Sequence, residues 1–128
     1  MKSPVWIDPT ALRLLHSESL AEHGGLIGII DEGLLMSALT RPQNLFAYEN
    51  ITNIPRLAAA YAYGIARNHP FVDGNKRAAF LSIGLFLALN NFQLQVEPVE
   101  AVNTMLALAA GNLDETELTA WIEKYTVR

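Results

Sequence analysis

The segment Ala78–Leu89 constrains the fold of this chain most strongly. It is an apolar stretch interrupted only by Ser82 and Gly84. Wound as a helix, it places large apolar side chains on every side, which is typical of a helix surrounded by protein. It is too short to cross a bilayer. We therefore predict a buried central helix that begins at residues 73–75 and ends at residues 90–91.

Capping residues and apolar spacing predict the helices before it. The Asp-Pro pair at residues 8–9 opens a first helix that runs to about Glu22. A second helix begins at residues 31–32. It is expected to stop near Pro42, because the residue before a proline avoids helical backbone. Residues 43–54 are then expected to form a connection.

The same signals complete a six-helix chain. Helices are predicted at residues 55–68, 99–110 and 114–125. Alternation in Phe92–Val96 predicts a short strand. Three glycines among the aliphatic residues of His23–Ile30 predict a flap, either a mobile loop or a short hairpin. The predicted fold class is all-α: one compact domain over residues 1–128, with at most a short β element.

Composition excludes several classes of function. The chain has no cysteine, which removes disulfides, thiolate metal sites and cysteine nucleophiles and fits a reducing compartment. A net charge of −4 argues against a protein that mainly neutralises a nucleic-acid backbone. The first eight residues lack the apolar run of a secretory signal. We expect a cytoplasmic protein that binds neither membrane nor nucleic acid directly.

The segment His69–Arg77 carries the densest set of reactive side chains. Pro70 forces His69 out of helical geometry, so a loop separates the third helix from the central one. The central helix then starts with Gly74–Arg77. Its free N–H groups, its dipole and two cationic side chains predict a phosphate site, and Gly74 lets an oxyanion approach the backbone closely.

A base and a metal ligand flank this predicted phosphate site. An imidazole at His69 would be able to take the proton of an attacking hydroxyl. The carboxylate of Asp73, together with phosphate oxygens and water, would suit Mg²⁺. The sequence thus places three elements of phosphoryl chemistry within nine residues.

Each of these residues also has an ordinary structural interpretation. A single loop histidine is commonly structural, Asp73 alone fits a helix N-cap, and Asn75 fits a turn. Lys76 and Arg77 fit a solvated first turn, although cations there oppose the helix dipole and so suggest an anionic partner. Metal-dependent hydrolysis finds no support, because the three histidines have no recognisable ligand spacing.

Taken together, His69–Arg77 resembles the signature of the Fic/Doc superfamily, His-x-Phe-x-Asp/Glu-Ala/Gly-Asn-Gly/Lys-Arg. Upstream, Leu20–Gln43 resembles the N-terminal half of its death-on-curing (Doc) branch. The resemblance implies a compact six-helix fold. It also implies an enzyme that transfers part of a nucleoside triphosphate to a protein hydroxyl. Ile30 and Met36 depart from it, standing where many relatives are expected to carry arginine and glutamate.

The resemblance also assigns roles. His69 would be the general base and Asp73 the Mg²⁺ ligand. Phe71 would anchor the loop in the core. Lys76 stands where Fic adenylyltransferases have glycine, which implies transfer of the γ-phosphate of ATP. AMP transfer, and a catalytically silent protein that binds nucleotide or antitoxin, remain the alternatives. The phosphate-binding residues would be Gly74, Asn75, Lys76 and Arg77.

Partners follow from the same resemblance. The Doc branch acts on elongation factor Tu, which would make this chain a growth-arrest toxin. Neither Glu32-Gly33 nor Glu49-Asn50 has the upstream hydroxyl residue of self-inhibited Fic proteins. Inhibition is therefore expected from a Phd-like antitoxin whose tail folds into an apolar groove. Residues 33–40 with Trp121 and Tyr125 are candidates for that groove, and ordinary core packing explains them as well.

Overall fold

The computed structural model describes residues 3–128, so Met1 and Lys2, which the predicted domain includes, lie outside the described residues. That part of the chain forms six helices and one two-stranded sheet, which confirms the predicted all-α class. The single domain stays a prediction. The helices are α1 Pro9–His23, α2 Glu32–Glu49, α3 Ile54–Asn68, α4 Asn75–Leu89, α5 Pro98–Ala109 and α6 Glu115–Tyr125.

Side-chain caps explain where the first and last helices begin. The Asp8 carboxylate accepts the backbone N–H of Thr10 at 2.9 Å, with Pro9 as the first helical residue. Asp114 and Glu117 form a capping box in which each side chain accepts the other residue's backbone N–H. Both helices were predicted to start there, because these caps act locally.

The central helix α4 lies against α1, α3 and α5. Its buried side chains form a stripe rather than a complete surround: Asn75, Ala78, Ala79, Ser82, Ile83, Phe86 and Leu87. Phe80, Leu81 and Leu85 are half-buried, and Leu89 is exposed. The prediction of burial on every side is therefore wrong for one face. Phe80 and Leu81 on that face line a cleft, so these two side chains are not fully covered.

Helix α2 corrects a second prediction. It continues through Pro42 to Glu49 instead of stopping near the proline, so residues 43–49 are helical and not part of a connection. A proline inside a helix removes one backbone hydrogen bond. Here Pro42 and Leu45 are buried against the core, and α2 packs along α3. Tertiary packing outweighs the local preference that the sequence pattern reports.

The β structure is smaller than the predicted Phe92–Val96 strand. Strand β1 is Gln93–Leu94 and pairs antiparallel with β2, Thr126–Val127, so that Gln93 faces Val127. This pairing ties the end of the chain to the turn after α4. No helix within residues 3–128 is long and apolar enough to cross a membrane.

A partly buried ion cluster joins α2, α3 and α6. Arg41 donates two hydrogen bonds of 2.6 Å to the Glu115 carboxylate, and Arg56 donates a third of 2.6 Å. The Glu115 side chain is only 15% exposed. Burial alone would raise the pKa of Glu115, but the hydrogen bonds from Arg41 and Arg56 outweigh it, and the pKa is lowered.

We expect Glu115→Gln to lower the free energy of unfolding by about 1–3 kcal/mol, because it leaves two partly buried guanidinium groups without a carboxylate. Since the folded-state pKa is lowered, this stabilisation is present above the ordinary glutamate pKa. It is lost as the pH falls through the lowered value. Urea denaturation at neutral and acidic pH measures both effects. Glu123→Gln, an exposed position on the same helix, is the control; an equal loss in both variants would contradict this account.

Candidate active site

The loop between α3 and α4 begins with an unusual backbone conformation at His69. Its φ and ψ angles are 53° and 52°, so the chain turns left-handed as soon as α3 ends. The following proline disfavours helical backbone at His69, as the sequence predicted. Two residues later the side chain of Phe71 is 1% exposed and packs in the core. The loop is thus anchored beneath, with the His69 side chain exposed above.

Asn75, the first residue of α4, holds this loop in place. Its Oδ1 accepts the Phe71 backbone N–H at 3.0 Å, and its Nδ2 donates to the Phe71 carbonyl at 3.0 Å. The second Nδ2 hydrogen points to Nδ1 of His69 at 3.1 Å. Asn75 is 5% exposed, so these bonds satisfy a buried amide. One side chain therefore fixes both the loop backbone and the imidazole.

The two bonds to Phe71 fix the orientation of the Asn75 amide, because exchanging its O and N atoms would break both. Nδ1 of His69 must then be an acceptor, and in a neutral ring the hydrogen lies on Nε2. A general base needs an unprotonated nitrogen facing the substrate. For His69 to act as one, the incoming hydroxyl must replace the Asn75 amide at Nδ1, or the ring must change tautomer.

Asp73 lies under the flap segment. Its Oδ2 accepts the Leu26 backbone N–H at 3.2 Å, and its Oδ1 accepts the Gly74 N–H at 2.8 Å. It is not the N-cap of α4, which is Gly74. Each carboxylate oxygen has one further lone pair. The Asp73 carboxylate also borders the cleft described below, so its donor set fits a hard cation such as Mg²⁺.

Gly74 brings the start of α4 close to α1. Its φ is 72°, and a Cβ built there would lie 3.0 Å from Cδ2 of Leu20 and 3.1 Å from Nε2 of His16. Within residues 3–128 no side chain caps α4. The N–H groups of its first turn thus lack the side-chain acceptor found at α1, α2, α3 and α6. They are available to an anion.

The two cations of the first turn have different surroundings. Lys76 is exposed, and none of the ion pairs formed among the described residues includes it. Arg77 is turned toward the end of α1, where its Nη1 donates to Oγ of Ser19 at 2.7 Å. The same Nη1 lies 3.2 Å from Nδ1 of His23, a nitrogen that also lies 3.1 Å from the Ser19 carbonyl oxygen. Lys76 is thus an exposed point charge at the helix terminus, whereas α1 orients Arg77.

The predicted flap pairs with the loop and not with itself. Ile29 forms an isolated antiparallel bridge with Phe71, and Val72 donates its N–H to the Gly28 carbonyl at 3.0 Å. The hairpin alternative is therefore wrong, because the backbone partners come from residues 70–72. Leu26 and Ile27 are exposed along this segment.

A cleft of about 700 Å³ opens between α4 and α5, and all six candidate residues line its mouth: His69, Asp73, Gly74, Asn75, Lys76 and Arg77. The rest of its lining is mostly apolar, with Phe80 and Leu81 from α4 and Met105 and Leu106 from α5. The structure brings together all the residues predicted as base, metal ligand and phosphate-binding groups. Their catalytic and binding roles stay predictions.

The residues predicted to form an antitoxin groove do not line the cleft. Within residues 33–40, Leu35, Ala38 and Leu39 belong to the core, as the ordinary interpretation held. Trp121 is partly buried and donates its Nε1–H to Glu100 at 3.1 Å. Neither segment lines the cleft. The departures Ile30 and Met36 are exposed and also lie outside its lining.

Sequence reasoning missed the contribution of α1. His16, Ser19 and His23 each contact the loop or the first turn of α4. Their spacing places them on one face of a helix, together with Leu20. Three polar residues at that spacing were a usable signal.

Comparison with known proteins assigns the family. The model of the Fic/DOC family matches residues 6–87. The chain belongs to the Fic/Doc family. Over 107 residues this Fic/Doc chain is 36% identical to "Protein kinase doc" of Escherichia phage P1, covering 84% of each chain. Over 77 residues it is 42% identical to "Toxin Doc" of Mycolicibacterium smegmatis, covering 58% of each.

Proposed function

We propose that this Fic/Doc protein is a toxin that transfers the γ-phosphate of ATP to a hydroxyl of a protein target. The observation that carries the proposal is the common placement of base, carboxylate and cationic helix terminus at the mouth of one cleft. The printed name of the phage P1 relative, a protein kinase, supports the same class of reaction.

In the proposed reaction the target hydroxyl oxygen attacks the γ-phosphorus of ATP. The bond between that phosphorus and the β,γ-bridging oxygen breaks, ADP leaves with the bond's electron pair, and the hydroxyl proton passes to His69. The first-turn N–H groups, Lys76 and Arg77 face the phosphate charge that is redistributed in this step. Preorganised donors of this kind stabilise charge without further rearrangement.

Asp73 is the residue that would hold Mg²⁺. When bound with ATP, this cation neutralises phosphate charge. The protein's own contribution is to orient the carboxylate, which the Leu26 and Gly74 N–H groups do from two sides. These bonds leave lone pairs on both oxygens.

Lys76 favours γ-phosphate transfer over AMP transfer. Its side chain lies at the cleft mouth beside the start of α4, in the place that a glycine would leave open. A cation there favours binding of the terminal phosphate group of ATP over an internal phosphate group. The reason is that the terminal group carries more negative charge. The target would then receive phosphate, and ADP would be released.

ATP labelled at either the γ- or the α-phosphate distinguishes the products. Purified protein, Mg²⁺ and a bacterial lysate should yield a protein labelled only from γ-labelled ATP. Label from the α-phosphate would mean AMP transfer. Absence of both, with intact nucleotide binding, would mean a silent binding protein. Either result would overturn the proposal.

We further propose elongation factor Tu as the target and a Phd-like antitoxin as the inhibitor. The Mycolicibacterium smegmatis relative is named a toxin, which supports an antitoxin as a partner. Helix α5 offers it an exposed apolar stripe at Val99, Val102 and Leu106, and the last two also line the cleft. An amphipathic helix seated there would cover both the stripe and the cleft.

Co-expression with a Phd-like antitoxin is expected to restore growth of cells that make this protein. Leu106→Glu should weaken that rescue, because it places a charge in the apolar contact. Leu14→Glu, at a similarly exposed position on α1 outside the cleft lining, is the control. Full rescue of the Leu106 variant would exclude this surface. A purified elongation factor Tu that accepts no phosphate would exclude the target.

A further inference from the structure

Helix α1 buries a histidine that the proposed reaction does not use. His16 is 1% exposed, one of three buried polar residues among those described, with Asn75 and Ser82. Burying an imidazole is costly unless it is hydrogen-bonded. Its position on α1 therefore calls for a partner, and that partner lies in the loop beside the cleft.

His16 contacts this loop in two ways. Its Nε2 lies 2.8 Å from the Asp73 carbonyl oxygen. A carbonyl only accepts, so Nε2 must carry the hydrogen. The ring also stacks on Phe71, with 3.9 Å between ring centroids and 25° between ring planes. One side chain thus holds the backbone at Asp73 and the aromatic anchor two residues before it.

The held carbonyl belongs to the peptide that joins Asp73 to Gly74. That peptide's own N–H donates to Asp73 Oδ1, and the next residue begins α4. Rotation of this peptide would break the bond from the Gly74 N–H to the Asp73 carboxylate and would change the backbone that leads into α4. Among the described residues, no other side chain binds this carbonyl. His16 thus contacts the backbone between two groups at the cleft without lining the cleft itself.

We propose that His16 is a positioning residue, which sets the geometry of Asp73 and of the α4 terminus through the Asp73–Gly74 peptide. The inference rests on the proposed function for its effect on catalysis. It also makes a claim about the loop alone, which does not depend on any reaction.

Two substitutions separate positioning from packing. His16→Gln retains an N–H donor that reaches the carbonyl but loses the ring, and His16→Phe retains the ring but loses the donor. We expect the Phe variant to lower kcat for phosphate transfer by about ten- to a hundredfold, since small misplacements of reacting groups have effects of that size. It should also need more Mg²⁺. The Gln variant should keep kcat within about threefold of the wild type, because the hydrogen bond persists. A core change distant from the loop, Ile122→Val on α6, is the control for stability.

Measurements without nucleotide test the loop itself. Nitrogen-15 NMR of the wild-type protein should show His16 with its hydrogen on Nε2. Amide hydrogen exchange at Val72 and Gly74 should be faster in the Phe variant than in the Gln variant. If the wild type transferred no phosphate while these results held, the proposed function would fail and the role in the loop would stand. Hydrogen on Nδ1, or equal exchange and equal kcat in both variants, would overturn the inference.

Discussion

The His69→Ala variant is expected to lose phosphate transfer almost completely, with kcat lowered by about 10²- to 10⁴-fold. The imidazole is the group at the cleft mouth that would take the hydroxyl proton. Its side chain is exposed, and among the described residues its ring is bonded to the Asn75 amide. The variant should therefore fold and bind nucleotide with nearly unchanged affinity. Initial rates with γ-labelled ATP, together with nucleotide titration, measure the two effects separately.

The left-handed backbone at position 69 needs its own control, because alanine adopts this conformation less readily than histidine. Asn91 has a φ of 69° and is exposed beyond α4, far along the chain from the loop. Asn91→Ala should share the backbone cost and keep full activity. If His69→Ala retained more than about a tenth of the wild-type rate, general-base catalysis at this residue would be excluded.

The second large effect is expected for Asp73→Asn, which removes the negative charge that would hold Mg²⁺. Loss of metal-assisted charge stabilisation worth several kcal/mol corresponds to a rate lowered by about a hundredfold or more. High Mg²⁺ should restore part of the rate, because the amide oxygen remains a weak ligand. A Mg²⁺ titration of kcat in the wild type and the variant measures this shift.

Asp8→Asn provides a matched control for that titration. Asp8 also accepts a backbone N–H, from Thr10. It caps the N-terminus of α1, whereas the C-terminal end of α1 is the end that contacts Arg77. Its substitution should leave the Mg²⁺ dependence unchanged. An Asp73→Asn protein with wild-type kcat at low Mg²⁺ would remove Asp73 from the proposed metal site.

Local signals predicted much of this fold. The caps at Asp8 and Asp114 and the proline after His69 act within a few residues, so the sequence alone indicates where helices begin and end. Pro42 is a residue at which the local signal predicted the wrong helix end. Its local preference for ending a helix is opposed by burial of its own ring and of Leu45, which depends on α3. No pattern within α2 reports that packing.

In the candidate site, too, local sequence signals predicted some features and long-range packing determined the others. The spacing from His69 to Arg77 indicated which residues gather at the helix terminus. It did not indicate that Asn75 would bond to both Phe71 and His69, because those distances depend on the left-handed turn. The roles of His16 and Ser19 depend on how α1 crosses α4. Such long-range contacts become visible only once the helices are packed.

A structure of the wild-type protein with Mg²⁺ and a non-hydrolysable ATP analogue would test the central claim most directly. We predict phosphate oxygens on the N–H groups of Asn75–Arg77, the metal on Asp73, and the γ-phosphate next to the imidazole of His69. A nucleotide bound elsewhere, or phosphates out of reach of the α4 terminus, would contradict the proposed reaction.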